Sequence, residues 1–124
     1  WTHFKLHNPL AQQLRSIHSQ LKERKAFPVD VWERHGFSVA TVRSVLKPLR
    51  EAFCWPNDHF YPNDPLRLVL CDWGDGFRDF HFIVKRDFGI VLDIDVVSTF
   101  YRDDVNLEAF LNYVVEIMNK PFGV

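Results

Sequence analysis

The sequence has few of the residues that staple a small protein together or anchor it in a membrane. Its 124 residues include two cysteines, five glycines and one methionine. Two cysteines are too few for a disulfide scaffold, so we expect both to be buried, reduced thiols. No apolar run reaches the roughly 20 residues of a membrane helix, and no secretory leader is visible, although the chain begins at Trp1. These absences predict one soluble, cytoplasmic domain, residues 1–124, with no membrane partner.

Motifs for cofactors, metals and catalysis are also missing. The glycines are scattered, so there is no glycine-rich phosphate loop. No acidic stretch has the spacing of a calcium loop, and His3 and His7 have no nearby cysteine or acid to complete a zinc site. Cys71, Asp72 and His81 include the residue types of a catalytic triad, but no signature surrounds the cysteine. We therefore predict no metal, no cofactor and no enzymatic activity. An unrecognised small enzyme is an alternative.

Charge is distributed unevenly along the chain. Residues 1–50 carry nine Lys and Arg against three Asp and Glu, whereas residues 51–124 carry six against thirteen. Either the two parts pack together and complement each other, or each presents a charged face to a partner. Nucleic-acid binding is not expected, because the basic residues near the N-terminus are not interleaved with stacking aromatic residues.

Helical periodicity is clear near both ends of the chain. Asn8 and Pro9 are typical of a helix start, and leucine and isoleucine then recur at helical spacing to about Lys25. A short helical turn is expected to end at Gly36. Ser38 is expected to cap a helix over 39–53, in which Pro48 causes either a kink or a break. A closing helix over 107–118 is expected to be capped by Asn106 or Asp104.

The middle of the chain fits two structures, and the fold class depends on the choice. Phe77, Phe80, Val84 and Phe88 have helical spacing, with Gly89 as the helix end. Alternating apolar residues in the same region also fit a three-stranded antiparallel meander over 67–95. The first interpretation predicts an all-α fold. The second predicts an α+β fold, for which we consider a toxin-neutralising (immunity) or regulatory module.

The order of signals from about Ser38 to Lys120 resembles the acyl carrier protein superfamily. Tyr61–Leu66 is similar to the polar turn and apolar anchor in the long loop of those proteins. Asp72–Phe77 is similar to the acidic-glycine signature before their second helix, and Phe88–Ile90 to the end of that helix. The resemblance implies an all-α, acyl-carrier-like helical bundle over residues 38–120. Residues 1–37 would then form an N-terminal helical extension packed on it.

One departure from the family decides what the resemblance can imply about function. Carrier proteins attach phosphopantetheine to a serine hydroxyl that follows an aspartate, but here Asp75 is followed by Gly76, which has no side chain to modify. The chain in this respect resembles uncharacterised bacterial carrier-like proteins that lack the serine. We therefore expect a non-enzymatic carrier-like protein that acts through protein–protein contacts.

Aromatic residues in expected loops are the candidates for the contact with an unknown protein partner. Tryptophan and tyrosine dominate binding hot spots when they are central and rimmed by polar groups. The alternative is that these side chains close one end of the core. The residues assigned to the contact are Trp55, Phe60, Tyr61, Trp73, Asp75 and Phe77.

Overall fold

The computed structural model describes residues 16, 18–70 and 75–119. Residues 18–23 of this part are helical. They are followed by helices α1 (Val29–Arg34), α2 (Val39–Phe53), α3 (Leu66–Val69), α4 (Asp75–Phe88), α5 (Ile94–Arg102) and α6 (Leu107–Asn119). The described residues contain no strand and one isolated antiparallel bridge, between Pro65 and Asn106. The all-α prediction is confirmed. The alternative meander over 67–95 is wrong, because α4 covers its central part as one unbroken helix.

Helix α2 begins at the predicted cap and continues through an internal proline. The Ser38 hydroxyl accepts a hydrogen bond from the Thr41 amide at 3.5 Å, as expected of an N-cap. Pro48 is buried inside the helix and cannot donate to the carbonyl of Ser44, yet the helix continues to Phe53. The predicted break at Pro48 is therefore wrong. Burial of the proline ring and of the apolar residues around it offsets the lost hydrogen bond.

The ends of α4 and α6 agree with the predicted caps. Gly89 follows α4 with φ +67°, a conformation that glycine adopts without strain, and its amide donates to the Lys85 carbonyl at 2.9 Å. At the start of α6 the Asn106 side chain accepts from the Ala109 amide at 3.0 Å. Gly36, with φ +86°, likewise follows the end of α1.

Helix α5 was not predicted, because its first residues belong to an alternating apolar pattern. The Asp93 carboxylate caps the helix by accepting from the amides of Asp95 at 2.9 Å and Val96 at 3.4 Å. Leu92 is buried, but Ile94 is 48% exposed. The alternation therefore reflects a buried loop residue followed by a helix start, and its interpretation as a strand is wrong.

One buried apolar cluster connects the described N-terminal segment with the later helices. Phe53 of α2 packs against Phe80 of α4, while Lys47 lies near Asp87, so these two helices run antiparallel. The residues before α2 also belong to the cluster, through Leu21, Phe27 and Trp32. The first part of the predicted first helix, Asn8 to Arg15, lies outside the described residues, whereas residues 18–23 are helical as predicted.

Candidate functional site

Trp55, the first residue assigned to the contact, is a core side chain. It is 5% exposed, and its indole N–H donates to the Val69 carbonyl at 3.1 Å. Its ring packs edge-to-face against Phe60, with 5.7 Å between the ring centroids, and lies 5.8 Å from the ring of His18. The chain reaches this position because Cys54 adopts a left-handed conformation at φ 57°, which turns the backbone back over the core. Cys54 itself is exposed, so the expectation of a buried thiol is wrong there; Cys71 lies outside the described residues.

Phe60 and Phe77 are also buried. Phe60 is 0% exposed, and its carbonyl accepts from the indole N–H of Trp32 at 2.9 Å. Phe77 is 5% exposed and lies 6.2 Å from the ring of Phe80. Of the two interpretations of the loop aromatic residues, closure of one end of the core is therefore supported for Trp55 and Phe60, and Phe77 likewise exposes little surface to a partner. A loop made of hydrogen-bonded turns can place its aromatic side chains inward, where they fill the end of the core.

Tyr61 is half-buried and belongs to a polar cluster that fixes the loop to the N-terminal segment. The Arg24 guanidinium lies 4.5 Å from the centre of the Tyr61 ring and forms two hydrogen bonds with the Asp64 carboxylate, at 3.0 and 3.2 Å. The same carboxylate accepts from the Tyr61 amide at 2.8 Å. Asp64 is 6% exposed, so its charge is satisfied inside the protein. The contacts of this loop are therefore structural.

The turn that resembles a carrier attachment site is described only in part. Trp73 lies outside the described residues. Asp75 begins α4, Gly76 is the next residue of that helix and is buried, and Phe77 follows in the core. The position that the resemblance assigns to the attachment serine is therefore in the first turn of a helix and has no hydroxyl.

The described residues form neither a metal-binding cluster nor a membrane-spanning helix. Residues 18–70 and 75–119 hold no group of three or more His, Cys, Asp and Glu side chains that could bind a metal ion. None of the helices in this part is long and apolar enough to span a membrane. His81 has one buried ring nitrogen, Nδ1, that has no hydrogen-bond partner among the described residues. Cys71 and Asp72, which were considered with His81 as an alternative catalytic set, are outside the described residues.

The exposed large apolar side chains are not the ones that the sequence analysis selected. They are Phe82 at 65%, Val91 at 61%, Ile94 at 48% and Val29 at 40%. Phe82 follows the buried Phe80 by two residues, which is roughly 200° around a helix, so it points away from the core. The helical pattern through Phe77, Phe80 and Val84 could have revealed this orientation.

A groove of about 870 Å³ lies between α2 and the C-terminal end of α4. Its charged walls come from Lys47, Arg50 and Glu51 of α2 and from Arg86 and Asp87 of α4. Arg86 binds Asp87 at 2.8 Å and reaches Glu51 at 3.6 Å. The hydrogen bond from Arg86 holds the pKa of Asp87 below its ordinary value. The groove therefore carries both signs of charge, with the cations in excess.

Comparison with known proteins found no counterpart: no protein-family model, no curated protein and no solved structure matches this chain. Any statement of function therefore depends on the side chains described above and on their surroundings.

Proposed function

We propose that this protein is a carrier-like helical bundle that cannot hold a phosphopantetheine arm and that acts, without catalysis, through contact with another protein. The order of helices supports the comparison. Within the described residues, α2 is followed by a long connection that contains the short α3, then by the long α4, by α5 and by α6. Apart from α5, this is the order that the resemblance implies for residues 38–120.

The observation that carries the proposal is Gly76 in the first turn of α4. A prosthetic arm of this kind needs a hydroxyl oxygen to form its phosphodiester, and glycine offers none. The sequence contains no serine between Ser44 and Ser98. The Ser44 hydroxyl donates to the Ala40 carbonyl at 2.8 Å, within α2, and Ser98 belongs to α5. Neither hydroxyl belongs to the turn that precedes α4.

Exposed side chains of the bundle support contact with another protein. Phe82 and Val91 expose most of their side chains, and charged residues surround Phe82 on the same helix. Aromatic side chains with a polar rim are typical of protein interfaces. The buried aromatic residues of the loop before α3 have no place in this proposal, since they stabilise the fold.

Intact-mass measurement tests the proposal directly. The purified protein is incubated with coenzyme A and a phosphopantetheinyl transferase of broad specificity, beside a functional carrier protein as the positive control. Gly76→Ser is treated in parallel, because it restores a serine directly after Asp75, and Gly74→Ser, which follows Trp73 and not an aspartate, is the matched control. We expect no mass increase for the natural sequence or for Gly74→Ser, and an increase for Gly76→Ser.

Two results would count against this. A pantetheine adduct on the natural sequence would disprove the loss of the carrier function. Failure of Gly76→Ser to be modified, with far-ultraviolet circular dichroism unchanged and the positive control modified, would remove the support for the carrier comparison.

A further inference from the structure

The outer face of α4 has an aromatic residue at its centre and charged residues around it. Phe77, Phe80 and Val84 turn toward the core, whereas Phe82 points away from it and is 65% exposed. A phenylalanine so exposed leaves most of its apolar surface in water, and burying it would recover free energy in proportion to that area. An exposed aromatic residue at the middle of a helix face is thus a potential anchor for a partner.

The residues one helical turn from Phe82 are mostly cationic. Arg78 lies four residues before it, and Lys85 and Arg86 lie three and four residues after it; these spacings place side chains side by side on a helix. Asp79 is the acid among these neighbours. The Lys85 side chain is exposed and makes no ion pair or hydrogen bond with the described residues, so its charge faces solvent.

The basic surface continues beyond α4. Arg86 lies between Phe82 and the groove that α4 shares with α2, and Lys47 and Arg50 of α2 form the far wall of that groove. Arg86 is held in place by its bonds to Asp87 and Glu51. Because two bonds restrain its guanidinium, it would lose little conformational freedom on binding.

We propose that Phe82, with its rim of Arg78, Lys85 and Arg86, is the docking surface for a protein partner that offers an apolar pocket bordered by Asp and Glu. The inference rests on the proposed function in one respect, that the protein acts by contact with another protein. Charge complementarity selects the acidic partner, since opposite charges at an interface speed encounter and exclude other partners.

Other occupants fit this face less well. A membrane surface would need an apolar face of several residues, but Phe82 is the large apolar side chain that this face exposes. A nucleic acid would need a basic track interleaved with several stacking aromatic residues, but Phe82 is the exposed large aromatic side chain of this face. A second copy could offer Asp93 beside Val91, but that carboxylate already caps α5.

Site-specific photo-crosslinking identifies the partner and the surface together. A photoreactive phenylalanine, p-benzoylphenylalanine, replaces Phe82 in the full chain in its source cells, with the same residue at Ile94 and at the exposed Glu116 as matched positions. We expect an adduct from position 82, whose partner peptide maps to an acidic surface, and none from position 116.

Calorimetry with the purified partner then tests the chemistry. Phe82→Ala should weaken binding by about 30-fold or more, as expected for an aromatic anchor. Lys85→Glu should weaken it by about tenfold and Lys85→Arg should not, and added salt should weaken binding to the natural chain. Both Phe82→Ala and Lys85→Glu should keep the urea midpoint of the natural chain.

Several outcomes would overturn the inference. These are an adduct to a second copy, a partner surface without acidic residues, full affinity in Lys85→Glu, or no adduct from position 82. A partner captured from Ile94 but not from position 82 would move the surface and leave the contact function intact. Absence of an adduct at all three positions would count against both the docking surface and the proposed contact function. A pantetheine adduct on the natural chain, with binding through Phe82 retained, would overturn only the proposed function.

Discussion

Replacing Trp55 by alanine distinguishes a core residue from a contact residue. The structure places the indole at 5% exposure, with its N–H on the Val69 carbonyl and its ring against Phe60. Truncation removes the buried ring, leaves a cavity and deprives a buried carbonyl of its donor. We therefore expect Trp55→Ala to unfold far more easily than the natural protein.

The size of this effect follows from known core truncations. A buried tryptophan replaced by alanine costs about 3–5 kcal/mol, and an unsatisfied buried carbonyl costs about 1–3 kcal/mol when water cannot reach it. We expect a combined loss of at least about 4 kcal/mol. A chain of 124 residues has a free energy of unfolding of about 6–18 kcal/mol, so this change takes a large share of it. In urea, with a slope of about 1.5–2 kcal/mol/M, the midpoint should fall by about 2 M or more.

Urea unfolding followed by far-ultraviolet circular dichroism measures this without relying on tryptophan fluorescence. Trp55→Phe keeps much of the ring and loses the donor, so it should cost about 1–2 kcal/mol. Phe82→Ala is the surface control and should stay within about 0.5 kcal/mol of the natural chain. A loss below about 1 kcal/mol for Trp55→Ala would refute its burial and restore it as a candidate contact residue.

Two further predictions concern polar groups. Arg24→Met and Asp64→Asn should each lower the free energy of unfolding by about 2–4 kcal/mol, because the paired side chains are only 17% and 8% exposed. The loss in the double variant should be smaller than the sum of the two single losses by about 1.5 kcal/mol or more. Strict additivity of the two losses would contradict a direct pair. Burial raises the pKa of Tyr113 above its ordinary value of 10.0. The stability linked to its neutral form is thus present below about pH 10 and is lost as pH rises through the folded-state pKa. Tyr113→Phe should therefore flatten the decline in the urea midpoint between about pH 9 and pH 12, and an unchanged decline would show that another group causes it.

Much of the helical structure could be predicted because its signals are local. Ser38, Gly89 and Asn106 act as caps through side-chain or backbone properties that depend on a few neighbouring residues. The apolar spacing of α2 and α6 then identifies the buried face. The sequence shows that Pro48 removes one backbone hydrogen bond from α2. Whether the helix continues past it depends on tertiary packing, which the local sequence does not report.

The region from Ile90 to Ile94 shows where short patterns fail. Alternating apolar residues fit a strand, but five residues do not separate that period from a loop leading into a helix. The deciding signal was Asp93, whose carboxylate caps α5. Read as an N-cap, it would have predicted a helix beginning at Ile94.

Position in a loop does not decide between exposure and burial for the aromatic residues before α3. The segment from Trp55 to Asp64 lacks regular structure, yet it is tied down by side chains distant in sequence: Asn57 donates to the Leu21 carbonyl at 2.7 Å, and Arg24 binds Asp64. Such contacts depend on the folded arrangement of the N-terminal segment and have no signature in the sequence. The exposure of Phe82, in contrast, follows from the helical period once α4 is accepted.

Ion pairs within the fold decide between the two interpretations of the uneven charge of residues 1–50 and 51–124. Arg24 binds Asp64 at 3.0 Å and Arg43 binds Asp58 at 2.8 Å, so cations of the first part neutralise anions of the second. These bonds favour mutual packing of the two parts over two separate charged faces. The Lys85 side chain has no ion pair within the described residues and lies three residues after the exposed Phe82, so its charge is available to a partner. The loop held by Arg24 therefore maintains the fold, and the outer face of α4 is where binding to another protein should be sought.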